Sequence, residues 1–340
     1  MKYDTIIIPK IKNWYKTGAI FMQNSSNTED LLPSREVTIE TTTFCGASCA
    51  FCPRDQYRYA PAHMSDELFI KALDESVALG ITSLDTCAFG DLFIDPKYKE
   101  RLRYVHAHYP HLKVFASTTG HMLNRSSLDV LDCLHTIKFS MYGITKEVYE
   151  SLHRGALKYE KVLENINRIC AIPRDKRPYL IMSLLVLPEN KHQVDEWKSY
   201  WEGKVDEITV WLPHNFGGTI DEFNDTKKSV KKSCNRPFFG NPVIHVDGEV
   251  SVCCFDYNHD LIIGNICHES LREIMTGKKL AHIRDVHKAG TFDSSDLHCK
   301  NCDQLLDRSD KLLYSSNKAR KVGVVTSHAD QMNDLLAGTH

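Results

Sequence analysis

The sequence predicts an α/β protein in which a partial (β/α)6 TIM-like barrel is followed by a small β-hairpin plus helix domain. Between residues 35 and 216, six strand patterns alternate with helical patterns, which is typical of parallel strands joined by right-handed crossovers. A complete eight-stranded barrel needs about 250 residues, so this region is too short for one. This succession of strands and helices ends before Asp247-Gly248. That pair is typical of a tight turn, and it lies between two short runs in which apolar and polar residues alternate.

The six predicted strands are marked by apolar runs or by apolar and polar residues in alternation. They cover residues 37–41, 81–86, 112–117, 137–141, 180–187 and 207–212. The first helix is expected to begin at Ser65, a favourable N-cap, and to end at Gly80. Asp95 and Pro96 supply N-cap and first-turn chemistry for the second helix. The other predicted helices cover residues 124–134, the segment leading to 170, and residues 193–201.

The chain divides into five predicted segments. An N-terminal extension is followed by the barrel, a polar linker, the small domain and a polar, partly helical tail. Their bounds are 1–34, 35–216, 217–233, 234–305 and 306–340. In the small domain, residues 243–252 are expected to form the hairpin, and a helix is expected near residues 270–276.

Composition excludes several classes of protein. The chain has 340 residues, a formal net charge of −2 and no long basic run, so we expect no nucleic-acid partner. No apolar stretch reaches about 18 residues, so no membrane span is expected. The short apolar run Ile6-Ile7-Ile8 cannot form a signal-peptide core. We therefore expect a cytoplasmic protein whose 12 cysteines are reduced and available as metal ligands.

The first cysteine group, Cys45, Cys49 and Cys52, directly follows the first predicted strand in a C-x3-C-x2-C pattern. Three thiolates can hold three irons of a [4Fe-4S] cluster and leave the fourth iron open to a ligand. A structural zinc site would need a fourth ligand, and the nearest histidine, His63, lies 11 residues further on. The spacing therefore favours iron–sulfur chemistry over zinc.

The second group supplies four thiols, which is enough for a closed metal site. Its members are Cys234, Cys253, Cys299 and Cys302. Four thiolates suit either a structural zinc ion or a [4Fe-4S] cluster, and chemistry alone does not separate the two.

The first group, within Cys45-Gly-Ala-Ser-Cys49-Ala-Phe51-Cys52, resembles the radical S-adenosylmethionine (radical SAM) enzymes. The resemblance implies SAM bound to the open iron and a 5′-deoxyadenosyl radical that removes hydrogen from a small-molecule substrate. It also implies an electron donor of the flavodoxin or ferredoxin type. The second group resembles the "twitch" form of the SPASM-type domain, which implies that this domain holds an auxiliary [4Fe-4S] cluster.

Further positions match the family's SAM-binding motifs, so the resemblance implies roles for them. Gly90 and Asp91 would bind the SAM amino group, Ser140 the ribose, and Arg154 the SAM carboxylate. Phe51, before the third cysteine, and Thr118, at the end of the third strand, complete the implied cofactor-binding set.

Several reactions remain open. Dehydrogenation of a carbinol-type carbon in a sugar, aminocyclitol or nucleoside would need a proton acceptor, for which His214 and Arg154 are candidates. His214 is also expected to line the substrate cavity, because it follows the sixth strand.

Epimerisation would need a hydrogen-atom donor, for which Cys254 is the candidate. Peptide modification is less favoured, since residues 1–34 are too short for a leader-binding domain of about 80 residues. A zinc-stapled binding protein is the non-enzymatic alternative.

Overall fold

Six parallel strands form the framework of the protein. The computed structural model describes residues 31–220, 223, 231–306 and 311–318. In chain order the strands are β1 (Glu36–Ile39), β2 (Ser83–Asp85), β3 (Lys113–Thr118), β4 (Thr136–Ser140), β5 (Tyr179–Leu185) and β6 (Glu207–Trp211). Each pairs in parallel with the next. The predicted six-unit β/α alternation is therefore confirmed.

Helices follow the strands as the sequence predicts. They are α1 (Asp66–Ala78), α2 (Tyr98–His108), α3 (Lys146–Leu152), α4 (Tyr159–Cys170) and α5 (Val194–Trp201). Ser65 caps α1 by accepting from the Leu68 N–H. The second helix begins later than predicted, because the buried Asp95 accepts from the Lys97 N–H and from Arg101. Residues Arg125–Cys133 form a 3-10 helix capped by Asn124.

The small domain adds a three-stranded antiparallel unit and three short helices. These are α6 (Arg236–Phe239), β7 (Val243–Ile244), β8 (Glu249–Ser251), β9 (Ile262–Asn265), α7 (Leu271–Met275) and α8 (Lys278–Ala289). The predicted β7–β8 hairpin is present, but its turn is longer than two residues. The His245 N–H donates to the Glu249 carbonyl, so three residues form the loop. Gly248 adopts a φ of +86°, which favours glycine.

One continuous sheet joins the two parts of the protein. With β10 (Leu312–Ser315) at one edge, its order among the described residues is β10-β6-β5-β4-β3-β2-β1-β7-β8-β9. Strand β7 pairs in parallel with β1, so the small domain extends the sheet at the first strand of the barrel. The buried side chains of both parts belong to one main apolar cluster. Among the described residues, no helix has the length and apolar character needed to cross a membrane.

The segment after the second cysteine group differs from the polar, partly helical tail that the sequence predicts. Leu312–Ser315 form strand β10, which pairs antiparallel with β6 and covers that edge of the sheet. Lys311 is only 1% exposed, and its ammonium lies 2.7 Å from the Asp303 carboxylate. Burial of this ion pair and of Leu312 explains why a polar sequence is held as a strand. Residues 1–30, most of the predicted linker and residues 319–340 lie outside the described part.

We predict that Lys311→Ala lowers the free energy of unfolding by about 3 kcal/mol, because Asp303 would remain buried without its cation. Anaerobic urea denaturation measures this loss. Lys146→Ala is the matched control, since the Lys146–Glu160 pair is exposed and its loss should leave the free energy of unfolding nearly unchanged. Equal effects of the two substitutions would contradict the anchoring role of Lys311.

Candidate active site

The first cysteine group lies in the loop that follows β1. Cys45, Cys49 and Cys52 are partly buried, and the Cys52 N–H donates to the Cys49 carbonyl. Burial raises the pKa of Cys45 to about 11 and raises those of Cys49 and Cys52, and the three thiols disfavour one another's ionisation. Three clustered thiols fit a [4Fe-4S] cluster with one open iron, because deprotonation by iron relieves the cost of burying them.

Arg54 provides the positive charge at this group. Its guanidinium donates to the carbonyls of Thr43 and Phe89, at 2.8 and 3.2 Å, and lies over the Tyr57 ring. This charge favours the thiolate forms of the three cysteines and partly opposes the effect of burial on their pKa values. Arg54 therefore connects the cysteine loop to the segment after β2.

That segment carries Gly90 and Asp91. A Cβ atom on Gly90 would lie 1.9 Å from the Thr42 carbonyl oxygen, so only glycine fits there. The Asp91 carboxylate is buried and accepts from the Phe93 N–H, from the hydroxyls of Thr118 and Thr119, and from the Thr119 N–H. These bonds join the β2 and β3 ends and use the lone pairs of both carboxylate oxygens. A role of Asp91 in holding the SAM amino group remains a prediction.

The other implied SAM contacts come from three parts of the chain: Phe51 from the cysteine loop, Ser140 from the end of β4, and Arg154 from the segment after α3. Phe51 packs edge-to-face on Tyr142, with ring centroids 4.9 Å apart. Burial raises the pKa of Tyr142, whereas its hydrogen bond with Ser140 opposes that shift. Arg154 forms an ion pair with Asp55 near the cysteine loop, and this partner raises its pKa. The structure thus places these side chains around the first cysteine group, while their contacts with SAM remain predictions.

The four cysteines of the second group line one cavity. Apolar residues such as Val252, Phe255 and Leu261 form much of the remaining wall. Burial raises the pKa of Cys302 to about 12 and raises the pKa values of Cys253 and Cys299. Four thiols around a largely apolar cavity fit a fully ligated [4Fe-4S] cluster.

Arg236 is the cation of this second site. It donates to the Gln304 side chain at 3.0 Å and lies over the Phe255 ring. Burial alone would lower its pKa, but the thiols of Cys254, Cys234 and neighbouring cysteines raise it. Strand β8 ends at Ser251, so Cys254 lies in a turn and is not oriented by strand alternation. It interacts with Arg236 and is not among the residues lining the cavity.

The loop after β6 is attached to the second cysteine group. Asn215 exchanges hydrogen bonds with Asp303 and donates to the Asn301 carbonyl. A Cβ atom on Gly218, whose φ is +88°, would lie 2.3 Å from that of Asn301. The predicted substrate residue His214 therefore lies beside the second cysteine group, with its ring 4.6 Å from that of Phe255.

The tautomer of His214 follows from its neighbours. Gln304 accepts from Arg236 through Oε1, so its Nε2 is the atom that donates to His214 Nδ1 at 2.9 Å. Desolvation lowers the pKa of His214, which favours the neutral ring. With Nδ1 accepting, the proton of the neutral ring lies on Nε2. Asp303 Oδ2 is 3.7 Å from Nδ1, too far for a hydrogen bond.

A row of aromatic rings connects the two cysteine sites. Tyr57 contacts Tyr257, Tyr257 contacts Phe216, and Phe216 contacts Phe255, with centroid separations of 5.8, 6.1 and 5.8 Å. The sequence does not predict this row, because its members come from three distant segments. Arg54 and Arg236 are not predicted either, although each lies two residues after a cysteine of its group.

Comparison with known proteins identifies two domains in the chain. The radical SAM superfamily model matches residues 39–199, and the SPASM model, an iron–sulfur cluster-binding domain, matches residues 234–303. These matches show that the chain carries a radical SAM domain followed by a SPASM domain. The two family models confirm the predicted SAM cofactor and the predicted iron–sulfur clusters in both parts of the protein. They do not support the alternative of a zinc-stapled binding protein.

Individual proteins are similar to this chain over most of its length. The S-adenosyl-L-methionine-dependent 2-deoxy-scyllo-inosamine dehydrogenase of Niallia circulans is 23% identical over 276 residues, which are 79% of this chain and 92% of that protein. The structure of BtrN in complex with AdoMet and 2-DOIA has a TM-score of 0.58 at 17% identity, covering 79% of this chain and 92% of BtrN. Streptococcus suis SuiB bound to the precursor peptide SuiA has a TM-score of 0.60 at 12% identity, covering 87% and 82%. These structural similarities show the shared fold.

Replacing Cys45, Cys49 or Cys52 with Ala should abolish SAM cleavage, because the cluster with an open iron needs all three thiolates. Formation of 5′-deoxyadenosine by anaerobically reduced enzyme measures this loss. Cys267→Ala is the control, since that thiol is exposed and lies outside both groups. Continued 5′-deoxyadenosine formation by any of the three variants would contradict the assignment of these ligands.

Replacing Cys299 or Cys302 with Ala should lower the iron content from about eight to about four atoms per chain. It should also lower the thermal midpoint, because metal binding at the small domain contributes to its folding energy. Iron quantification and anaerobic thermal unfolding measure both effects, again with Cys267→Ala as control. Unchanged iron content, or wild type that holds only zinc at this site, would show that these thiols do not ligate a cluster.

Proposed function

We propose that this protein oxidises a carbinol-type carbon of a small polar substrate, such as an aminocyclitol, a sugar or a nucleoside. The observation that carries the proposal is the similarity to a dehydrogenase across 92% of that enzyme's length. The closed set of four thiols supports it further, because a fully ligated cluster suits electron transfer.

When bound, SAM and the first cluster supply a radical that takes a hydrogen atom from the substrate, and the auxiliary cluster supplies a one-electron acceptor. The chain's own residues hold and shield these groups. Cys45, Cys49 and Cys52 would ligate the first cluster beside Arg54. The bonds from Asp91 to Thr118 and Thr119 fix the ends of β2 and β3, where SAM would lie.

We propose that His214 orients the substrate oxygen by donating from Nε2, because Nδ1 already accepts from Gln304. Among the described residues, no hydrogen-bond partner of Nε2 is found, so this N–H is available. This differs from the proton-acceptor role that the sequence suggests for His214. Arg154 is also unsuited to accept a proton, since a guanidinium stays protonated and Asp55 raises its pKa further. The hydrogen atom would go to the radical, the second electron to the auxiliary cluster, and the hydroxyl proton to water, because a ketone that forms protonated releases its proton readily to water.

Epimerisation remains the second candidate, and one observation favours it. Cys254 is half-buried, its thiol interacts with Arg236, and it directly precedes Phe255, a member of the row of aromatic rings. A thiol in that position could return a hydrogen atom to a flattened substrate radical. The two reactions differ in the fate of hydrogen, which makes them separable in deuterium oxide.

The test uses anaerobic enzyme with 2-deoxy-scyllo-inosamine and a panel of aminocyclitols, sugars and nucleosides in deuterium oxide. Dehydrogenation should give a product two hydrogens lighter than its substrate, with no deuterium added at carbon. Mass spectrometry and NMR of the product measure this. An inverted product carrying one carbon-bound deuterium, without a ketone, would overturn the proposal.

We predict that Cys254→Ala keeps SAM cleavage and most of the oxidation, because Cys254 is not a proposed cluster ligand. Cys267→Ala is the matched control, and product formed per SAM cleaved is the measurement. Loss of product with SAM cleavage intact, in Cys254→Ala alone, would indicate the hydrogen-donor role instead.

A further inference from the structure

A polar cluster outside both cysteine groups lies where β1 meets the β7–β8 hairpin. It consists of Glu40, His245 and His259, whose possible ligand atoms all lie within 4.8 Å of one another. Glu40 directly follows β1, His245 directly follows β7, and His259 precedes β9. The cluster thus joins the barrel to the small domain.

Glu40 is a buried carboxylate for which the described residues offer no lysine or arginine ion-pair partner. Its exposed fraction is 0%. Oε1 accepts from the Phe89 N–H at 2.9 Å, and Oε2 lies 3.1 Å from His245 Nδ1. Among the ion pairs of residues 31–220, 231–306 and 311–318, histidine is its only cationic partner. A fully buried carboxylate is costly unless a positive charge lies close to it.

His259 directs an unpaired nitrogen into the same region. Its Nδ1 lies 2.8 Å from Glu249 Oε2, and because a carboxylate only accepts, the ring proton lies on Nδ1. In the neutral ring Nε2 then carries a lone pair, yet this buried atom has no partner within the described part of the chain. The Tyr59 ring packs on His259 at 4.7 Å, and its buried hydroxyl also lacks a partner there.

His245 is oriented in the corresponding way. Its ring centroid lies 3.9 Å from that of His259, and its Nε2 lies 3.0 Å from the Ser251 hydroxyl. Because a carboxylate only accepts, Nδ1–H donates to Glu40 Oε2. A bound metal ion would replace that proton on Nδ1, and Nε2–H would then donate to the Ser251 hydroxyl. Metal-binding histidines commonly donate their other ring N–H to an oxygen, and here Glu249 and Ser251 would be those oxygens.

We propose that Glu40, His245 and His259 bind one divalent first-row transition ion, such as Zn²⁺, separate from both iron–sulfur clusters. Two imidazoles and one carboxylate suit such an ion, and water can complete its coordination. Ligands of one tetrahedral zinc ion lie about 3.4 Å apart, close to the 3.1 Å between His245 Nδ1 and Glu40 Oε2. The charge of the ion would be balanced by Glu40 and Glu249.

Such an ion would connect the two parts of the protein at a position that matters for the active site. Glu40 lies five residues before Cys45, and its carboxylate accepts a hydrogen bond from the N–H of Phe89, the residue before Gly90. The ion would therefore fix the cysteine loop and the segment after β2 against the hairpin. Metal binding is measured without turnover, so this inference can fail while the proposed oxidation stands, and the reverse also holds.

The experiment measures zinc in tag-free protein that already contains about eight irons per chain. The protein is incubated anaerobically with ZnSO4 and desalted, and zinc and iron are quantified by mass spectrometry. Wild type should retain one zinc per chain, and His259→Gln and Glu40→Gln should retain less than a tenth of that. His268→Gln, which alters an exposed histidine of the same domain, should retain one zinc.

Glu249→Gln provides a milder variant that removes no ligand. It should weaken zinc binding about 10- to 100-fold while iron content and circular dichroism stay unchanged, because loss of a partner behind a ligating histidine has that effect. This variant keeps the test valid if the ligand variants fold poorly. Wild type that retains no zinc, or His259→Gln that retains as much as wild type, would overturn the proposal.

Discussion

Strand β1 pairs on both sides, and the positions of both cysteine groups depend on this double pairing. It pairs in parallel with β2 of the barrel and with β7 of the small domain. The first cysteine group begins six residues after β1 ends, while the hairpin that begins with β7 leads directly to Cys253. Because one sheet carries both connections, the position of each group is set relative to the same strand.

Buried thiols impose the second constraint. Burial raises the pKa of most cysteines in both groups, so the thiols are neutral at physiological pH unless a metal deprotonates them. In each group a nearby guanidinium favours the thiolate, Arg54 in the first group and Arg236 in the second. Each arginine also bonds to another segment, Arg54 to Phe89 and Arg236 to Gln304. Arg54 and Arg236 therefore stabilise the negative charge of the thiolates and also hold together the chain segments next to each cysteine group.

The loop after β6 shows how the proposed substrate region and the second site are coupled. Asn215 and Asp303 exchange hydrogen bonds, and Lys311 completes the buried charge pair from the segment next to β10. His214 takes its tautomer from Gln304, which lies two residues after Cys302. Substitutions in the second cysteine group should therefore alter the position of His214, because Asp303 and Gln304 connect that group to the loop after β6.

The sequence was informative where the signal is local. Strand alternation predicted β1 to β6, and cysteine spacing predicted both thiol groups, because period and spacing are properties of neighbouring residues. It was uninformative where a residue's role depends on a distant partner. Lys311 belongs to a polar segment and becomes buried only because Asp303 lies opposite it. Asp91 is surrounded by Thr118 and Thr119, about 27 residues away in the chain, which no local pattern reveals.

The central claim is that one chain holds an open cluster for SAM and a closed auxiliary cluster. Mössbauer spectroscopy of ⁵⁷Fe-loaded protein, with and without SAM, tests it most directly. About eight irons per chain should be present, and SAM should change the signal of one iron while the others stay the same. A chain with a single cluster, or two clusters of which neither responds to SAM, would contradict the account.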